Sequence, residues 1–131
     1  PRAVAQAGPR AAVLLHRAAD EAIAGWPGFG GLPEAAAETV AGYVEHAKGY
    51  EPADARYLEN HRGHLMFVKA EELKYITAEL IRDTTFTARE AELKSRIGDL
   101  QDAGYSQFTI QIVPGQEDAI EDWGRVRKAF A

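Results

Sequence analysis

The sequence predicts an α/β fold, the C-terminal portion of a (β/α)8 barrel, helix-rich with two or three parallel strands. Two observations carry that expectation. The last third of the chain alternates strand, helix, strand and helix with tight connections, and parallel strands need such helical crossovers. The chain has 131 residues, whereas an eight-fold barrel takes about 250, so it reads as the C-terminal part of something larger. Residues 1–131 are then one unit, with a helical segment and insert over 1–80 and the alternating elements over 81–131.

The elements follow in order. Residues 9–24 are an alanine-rich helix candidate, opened by Gly8-Pro9 with Pro at the favoured first helical position. Residues 25–33 hold four Gly and two Pro, which break regular structure. A second helix is expected over 34–48, with Val40, Tyr43, Val44 and Ala47 on one face. Residues 49–62 are polar and irregular, with a short helix between Pro52 and Leu58. The apolar run 63–68 has strand length, although periodicity does not separate strand from helix there. A single helical turn fits 71–75, and Thr77 is a plausible helix start leading to Arg82.

Residues 81–86 read as a strand. Thr87 and Glu90 form a capping box that opens a helix to about Ala103, with Leu93, Ile97 and Leu100 on one face and Gly104 as its stop. Residues 107–113 alternate as a strand, with Phe108, Ile110 and Ile112 on one face and Thr109, Gln111 and Val113 on the other. The strands of Phe86 and Ile110 are expected to be parallel neighbours joined by a right-handed crossover. A last helix carries Ile120, Trp123, Arg127 and Phe130 to the end of the chain.

Composition limits the function classes. The net charge is −5 and no basic stripe is present, which argues against nucleic-acid binding. No apolar run approaches the roughly 18 residues of a membrane span, and no signal peptide is evident at the first residues. The missing initiator Met suggests a truncated or processed start. Cysteine is absent, which removes disulfides, thiolate metal sites and cysteine nucleophiles and fits a cytoplasmic location.

Four places can carry chemistry. Thr84, Thr85, Phe86 and Thr87 lie at the expected C-terminal end of a strand, where active-site groups gather in barrels and open α/β sheets; helix capping by Thr87 and packing of the others explain the same residues. Gly8, Pro9 and Arg10 place free amides and a guanidinium at an expected helix start, where a phosphate fits; a plain helix start with a surface Arg explains the same residues. His61, Arg62 and His64 are the densest cluster, suited to anion binding or proton transfer near neutral pH. A structural histidine turn is an equal alternative. Two imidazoles at i, i+3 lack a third ligand at matching spacing, so no metal is expected. Gln111, polar on the inward face of its strand, needs a buried partner or a ligand. His16 and His46 are single helical histidines with structural or exposed roles.

Residues Asp83-Thr84-Thr85-Phe86-Thr87-Ala88-Arg89-Glu90, the Ala103-Gly104-Tyr105 helix end and Phe108-Thr109-Ile110-Gln111 resemble the C-terminal segment of luciferase-like flavin-dependent oxidoreductases. Gly8-Pro9-Arg10-Ala11-Ala12 is similar to the same family's loop that holds the cofactor phosphate. The resemblance implies a dimeric barrel that binds FMN or a deazaflavin and performs oxygen insertion or hydride transfer. It places the phosphate at Gly8, Pro9 and Arg10. It also puts His61, Arg62 and His64 beside the flavin or substrate, with Arg62 facing an anion and a histidine moving protons. A small-molecule substrate and a flavin reductase, or another supply of reduced cofactor, are the implied partners. The N-terminal barrel half is not in this sequence, so the isolated chain is expected to be inactive. The alternative is a stand-alone, non-enzymatic α/β binding or interaction module.

Overall fold

The computed structural model describes residues 2–27 and 33–130, and among them no residue forms a β-strand. The order is α1 (Arg2–Ala24), a 3-10 turn (Glu34–Ala36), α2 (Ala37–Ala47), α3 (Arg56–Asn60), a 3-10 helix (Ala70–Tyr75), α4 (Ala78–Thr84), α5 (Glu90–Asp102), α6 (Ala119–Arg127) and a closing 3-10 turn (Lys128–Phe130). The expected barrel portion with parallel strands is therefore overturned: the described chain is helical. Residues 28–32 of the expected breaker cluster, and residues 1 and 131, lie outside the description.

Helix α1 starts at Arg2 and runs through Pro9, so Gly8-Pro9 does not open it. An interior Pro removes one helical hydrogen bond and usually costs about 3 kcal/mol. Burial offsets that here, because Ala7, Gly8, Pro9, Ala11, Ala12, Leu15, His16 and Ala19 form the buried face. Gly8 is needed for close approach: a Cβ there would sit 3.0 Å from Val68 Cγ2 and 3.4 Å from Ile76 Cγ2.

Helix α1 packs on α2 and α4, and the 3-10 helix over Ala70–Tyr75 packs on α2. The core gathers Ala11, Leu15, Tyr43, Ala47, Ile76, Leu80 and Ile81. Together α2 and the 3-10 turn before it fill the expected 34–48 helix, with Tyr43 and Ala47 turned inward.

The expected strands fail for separate local reasons. At 63–68 the chain curls back: Met66 and Phe67 amides both bond the Gly63 carbonyl, at 2.8 and 3.1 Å. Gly63 has φ 83° and Leu65 φ 62°. At 81–86 the helix begun at Thr77 prevails. The Thr77 hydroxyl accepts from the Leu80 amide at 3.1 Å, and Leu80 and Ile81 are buried from a helical backbone. This helix crosses the expected boundary at residue 81. Residues 107–113 form no strand: Phe108 is exposed while Val113, from the opposite expected face, is buried, and among the described residues no partner strand exists to satisfy an extended backbone there.

Thr87 does not cap α5. The helix begins at Glu90 with Arg89 at the N-cap, and Thr87 Oγ1 instead lies 2.8 Å from Thr85 Oγ1. The far end matches expectation. Gly104 has φ 94°, and the Gly104 and Tyr105 amides bond the Gln101 and Leu100 carbonyls at 2.9 and 3.0 Å, a Schellman closure. Phe108 packs between Phe86 and Trp123, with ring centroids 4.9 and 5.6 Å away. Helix α6 leans on α5 and is tied to the start of α1 by Arg2 bonded to Asp118 and Asp122.

Candidate functional site

A polar network crosses the helical core. His16 from α1 and Glu72 from the 3-10 helix are both buried, with His16 Nε2 2.7 Å from Glu72 Oε1. The same carboxylate oxygen lies 2.8 Å from the Tyr43 hydroxyl of α2. The other, Oε2, accepts from the Lys69 amide at 3.0 Å. Tyr43 also sits 2.8 Å from Asn60 Oδ1, so its single phenolic hydrogen is shared between two acceptors. Burial pushes the Glu72 pKa up, but hydrogen bonds from His16, the Lys69 amide and Tyr43 outweigh it and hold it at about 2. Burial, with the neighbouring negative Glu72, pushes the Tyr43 phenol far above its ordinary range.

Lys69 is buried yet well partnered. Its Nζ lies 3.0 Å from the Tyr50 hydroxyl, 2.6 Å from the Glu59 carbonyl and 3.1 Å from Glu72 Oε1. A charge out of water needs such a set, because an unpaired one costs several kcal/mol.

The network continues to the surface. Asn60 Nδ2 donates to the His16 carbonyl at 2.9 Å and to Asp20 Oδ1 at 2.6 Å. Asp20 Oδ2 lies 2.6 Å from His61 Nε2, and His61 Nδ1 lies 3.2 Å from His64 Nδ1. His64 titrates below its ordinary range because of burial first, then the charges of His61, His16 and Arg10.

The structure therefore brings His61 and His64 together but not Arg62. The Arg62 guanidinium is exposed, bonded to Glu59 at 2.8 Å and paired with Glu71 at 3.5 Å. The partners that complete the cluster, His16, Asp20, Asn60 and Glu72, were not singled out from the sequence. One signal was there: His16 and Asp20 stand four residues apart, on one face of an alanine-rich helix.

Gly8 and Pro9 are buried in mid-helix. The free amides expected there do not exist, since the helix N-terminus lies at Arg2. Arg10 nevertheless lines a cleft of about 770 Å³ together with Gln6, Phe86, Phe108, Gln111 and Trp123. Gln111 is exposed on the wall of that cleft and donates to the Leu65 carbonyl at 3.2 Å; it does not point into a barrel. Gln6 Nε2 is buried without a hydrogen-bond partner. Gln6 and Arg10 stand one helical turn apart, and Arg10 makes no ion pair among the described residues.

No helix among the described residues is long and apolar enough to cross a membrane. Comparison with known proteins yields no match: no family model fits the chain, and no curated protein or solved structure is significantly similar to it.

Proposed function

We propose that the chain supplies a flavin-binding cleft to a flavin-dependent oxidoreductase, with FMN or a deazaflavin as cofactor. One observation carries this reading: Gln6, whose buried Nε2 has no hydrogen-bond partner, and Arg10, which makes no ion pair among the described residues, stand one turn apart and line a cleft of cofactor size. Ligand clefts usually hold about 300–1,000 Å³. A phosphate answers both donors, because a guanidinium and an amide can each donate to its oxygens. The packed rings of Phe86, Phe108 and Trp123 give the cleft an aromatic lining for a flat ring system. The acids on the same wall are each paired with a cation, Asp83 with Arg82, Glu90 with Lys94 and Asp122 with Arg2 and Arg125.

Gln6 and Arg10 would hold the phosphate, and the three aromatic side chains would flank the ring. A bound flavin supplies hydride transfer or oxygen activation. The protein's part is to orient the ring and exclude water around it.

The test replaces Arg10 and compares two ligands. Arg10→Ala should weaken FMN binding by about 10–150-fold, the equivalent of a charge-assisted hydrogen bond of about 1.5–3 kcal/mol. Riboflavin, which has no phosphate, should be unaffected. Equal loss for both ligands would remove Arg10 from the phosphate site.

A second reading, a stand-alone helical binding module, is favoured by the closure of the α1, α2 and α4 core with no strand among the described residues. Saturable binding of neither flavin would favour it.

A further inference from the structure

We propose that His16, His61 and His64 form a binding site for one divalent first-row transition-metal ion of the zinc type. This inference is independent of the flavin reading. One ring nitrogen from each of the three histidines lies within 4.8 Å of the others. Two of these rings already meet through Nδ1, with His61 Nδ1 and His64 Nδ1 3.2 Å apart. Zinc–nitrogen bonds of about 2.0–2.1 Å at tetrahedral angles put two ligand nitrogens about 3.3 Å apart, so this pair already has the spacing of one coordination edge.

A second observation concerns the tautomers. His16 Nε2 meets Glu72 and His61 Nε2 meets Asp20, at 2.7 and 2.6 Å. Each carboxylate takes the Nε2 hydrogen of its histidine, which leaves a lone pair on Nδ1. A histidine ligand ordinarily gives its other ring N–H to such a carboxylate, which fixes the ring and raises its basicity. His16 Nδ1 is buried and has no hydrogen-bond partner, and it is the atom of that ring left for an ion.

The surroundings fit a cation. Asp20 and Glu72 bring two carboxylates to the three rings, against the cations Lys69 and Arg10. His64 is exposed and follows Gly63, so it is the ring free to close onto the other two. Three imidazoles leave a fourth position open to water or an anionic oxygen, as in catalytic rather than structural zinc sites. Imidazole donors suit zinc, copper, nickel and iron, not magnesium or calcium. The sequence alone offered only His61 and His64; the third ligand comes from α1.

The test uses Co2+ and Zn2+ on protein free of any polyhistidine tag. Co2+ should bind at one equivalent with the visible absorption of a tetrahedral ion, and Zn2+ should displace it. Asp20→Asn should weaken binding by about 10–100-fold, and His64→Ala, which removes an exposed ligand, by more than that. Arg62→Ala, between the two histidines but paired with Glu59, should leave the affinity unchanged. Far-ultraviolet circular dichroism confirms that each variant is folded. No saturable Co2+ uptake, or uptake unchanged in His64→Ala, overturns the proposal.

Discussion

His16 and Glu72, fifty-six residues apart in sequence, meet inside the helical core with Nε2 2.7 Å from Oε1 and both side chains buried. The contact joins the 3-10 helix Ala70–Tyr75 to α1, and α2 brings the Tyr43 hydroxyl to the same carboxylate oxygen at 2.8 Å. A buried carboxylate held by His16, Tyr43 and both nitrogens of Lys69 is a single point on which these elements converge.

Removing it should therefore be severe. Glu72→Ala leaves Lys69 buried beside a lost counter-charge, and breaking one partner of a buried pair usually costs about 3–5 kcal/mol. Tyr43→Phe deletes one hydroxyl and should cost about 1–3 kcal/mol, the penalty for leaving buried acceptors unsatisfied. Urea unfolding followed by circular dichroism measures both. A loss below about 0.5 kcal/mol in Glu72→Ala would mean that the network does not hold the fold.

Acid should unfold the protein through the same group. The Glu72 pKa falls from its ordinary 4.5 to about 2 in the fold. On acidification the unfolded chain takes the proton first, so it binds more protons than the folded one between those values. The Glu72 contribution is complete above pH 4.5 and disappears as the pH falls to about 2. Stability measured across that window should decline, and the decline should be shallower in Glu72→Gln. Identical slopes in the two proteins would contradict it.

Helix starts give a sharp comparison between two threonines. Thr77→Ala removes the hydroxyl that accepts from the Leu80 amide and should cost about 1 kcal/mol. Thr87→Ala should cost less than half of that, because its hydroxyl caps no helix. Chemical denaturation of both variants decides it, and the reverse order would restore a helix beginning at Thr87.

Gly63 tests the turn that sets His61 and His64. A Cβ there would lie 2.5 Å from the Phe67 ring at φ 83°, so Gly63→Ala should cost more than about 1 kcal/mol. Thermal unfolding reads the loss. An unchanged midpoint would mean that Phe67 moves aside freely.

Much of the helical part was legible. The alanine-rich α1, the 34–48 helix and the Gly104 stop follow from propensity, periodicity and capping chemistry, which are local. The strands were not, because alternation at 107–113 states only that a strand would suit those residues. Pairing depends on a partner strand, and the described chain provides none. At 81–86 two signals competed, β-prone residues and the Thr77 cap, and the cap with buried Leu80 and Ile81 prevailed. Gly8-Pro9 misled in a different way: Pro suits a first helical turn, but the alanine-rich residues before it continue the helix back to Arg2. In the site, His61 and His64 could be picked out because they are near neighbours in sequence. His16, Asp20 and Glu72 join them only through tertiary folding, which a single sequence does not reveal.

The most direct test of the flavin reading is titration of the protein with FMN, followed by Trp123 fluorescence. Trp26 is exposed elsewhere, so a Trp26→Phe background isolates the cleft tryptophan. The account predicts saturable quenching at one equivalent of FMN, with riboflavin binding more weakly for want of the phosphate that Gln6 and Arg10 hold. Absence of quenching by either flavin, or equal affinity for both, would contradict it.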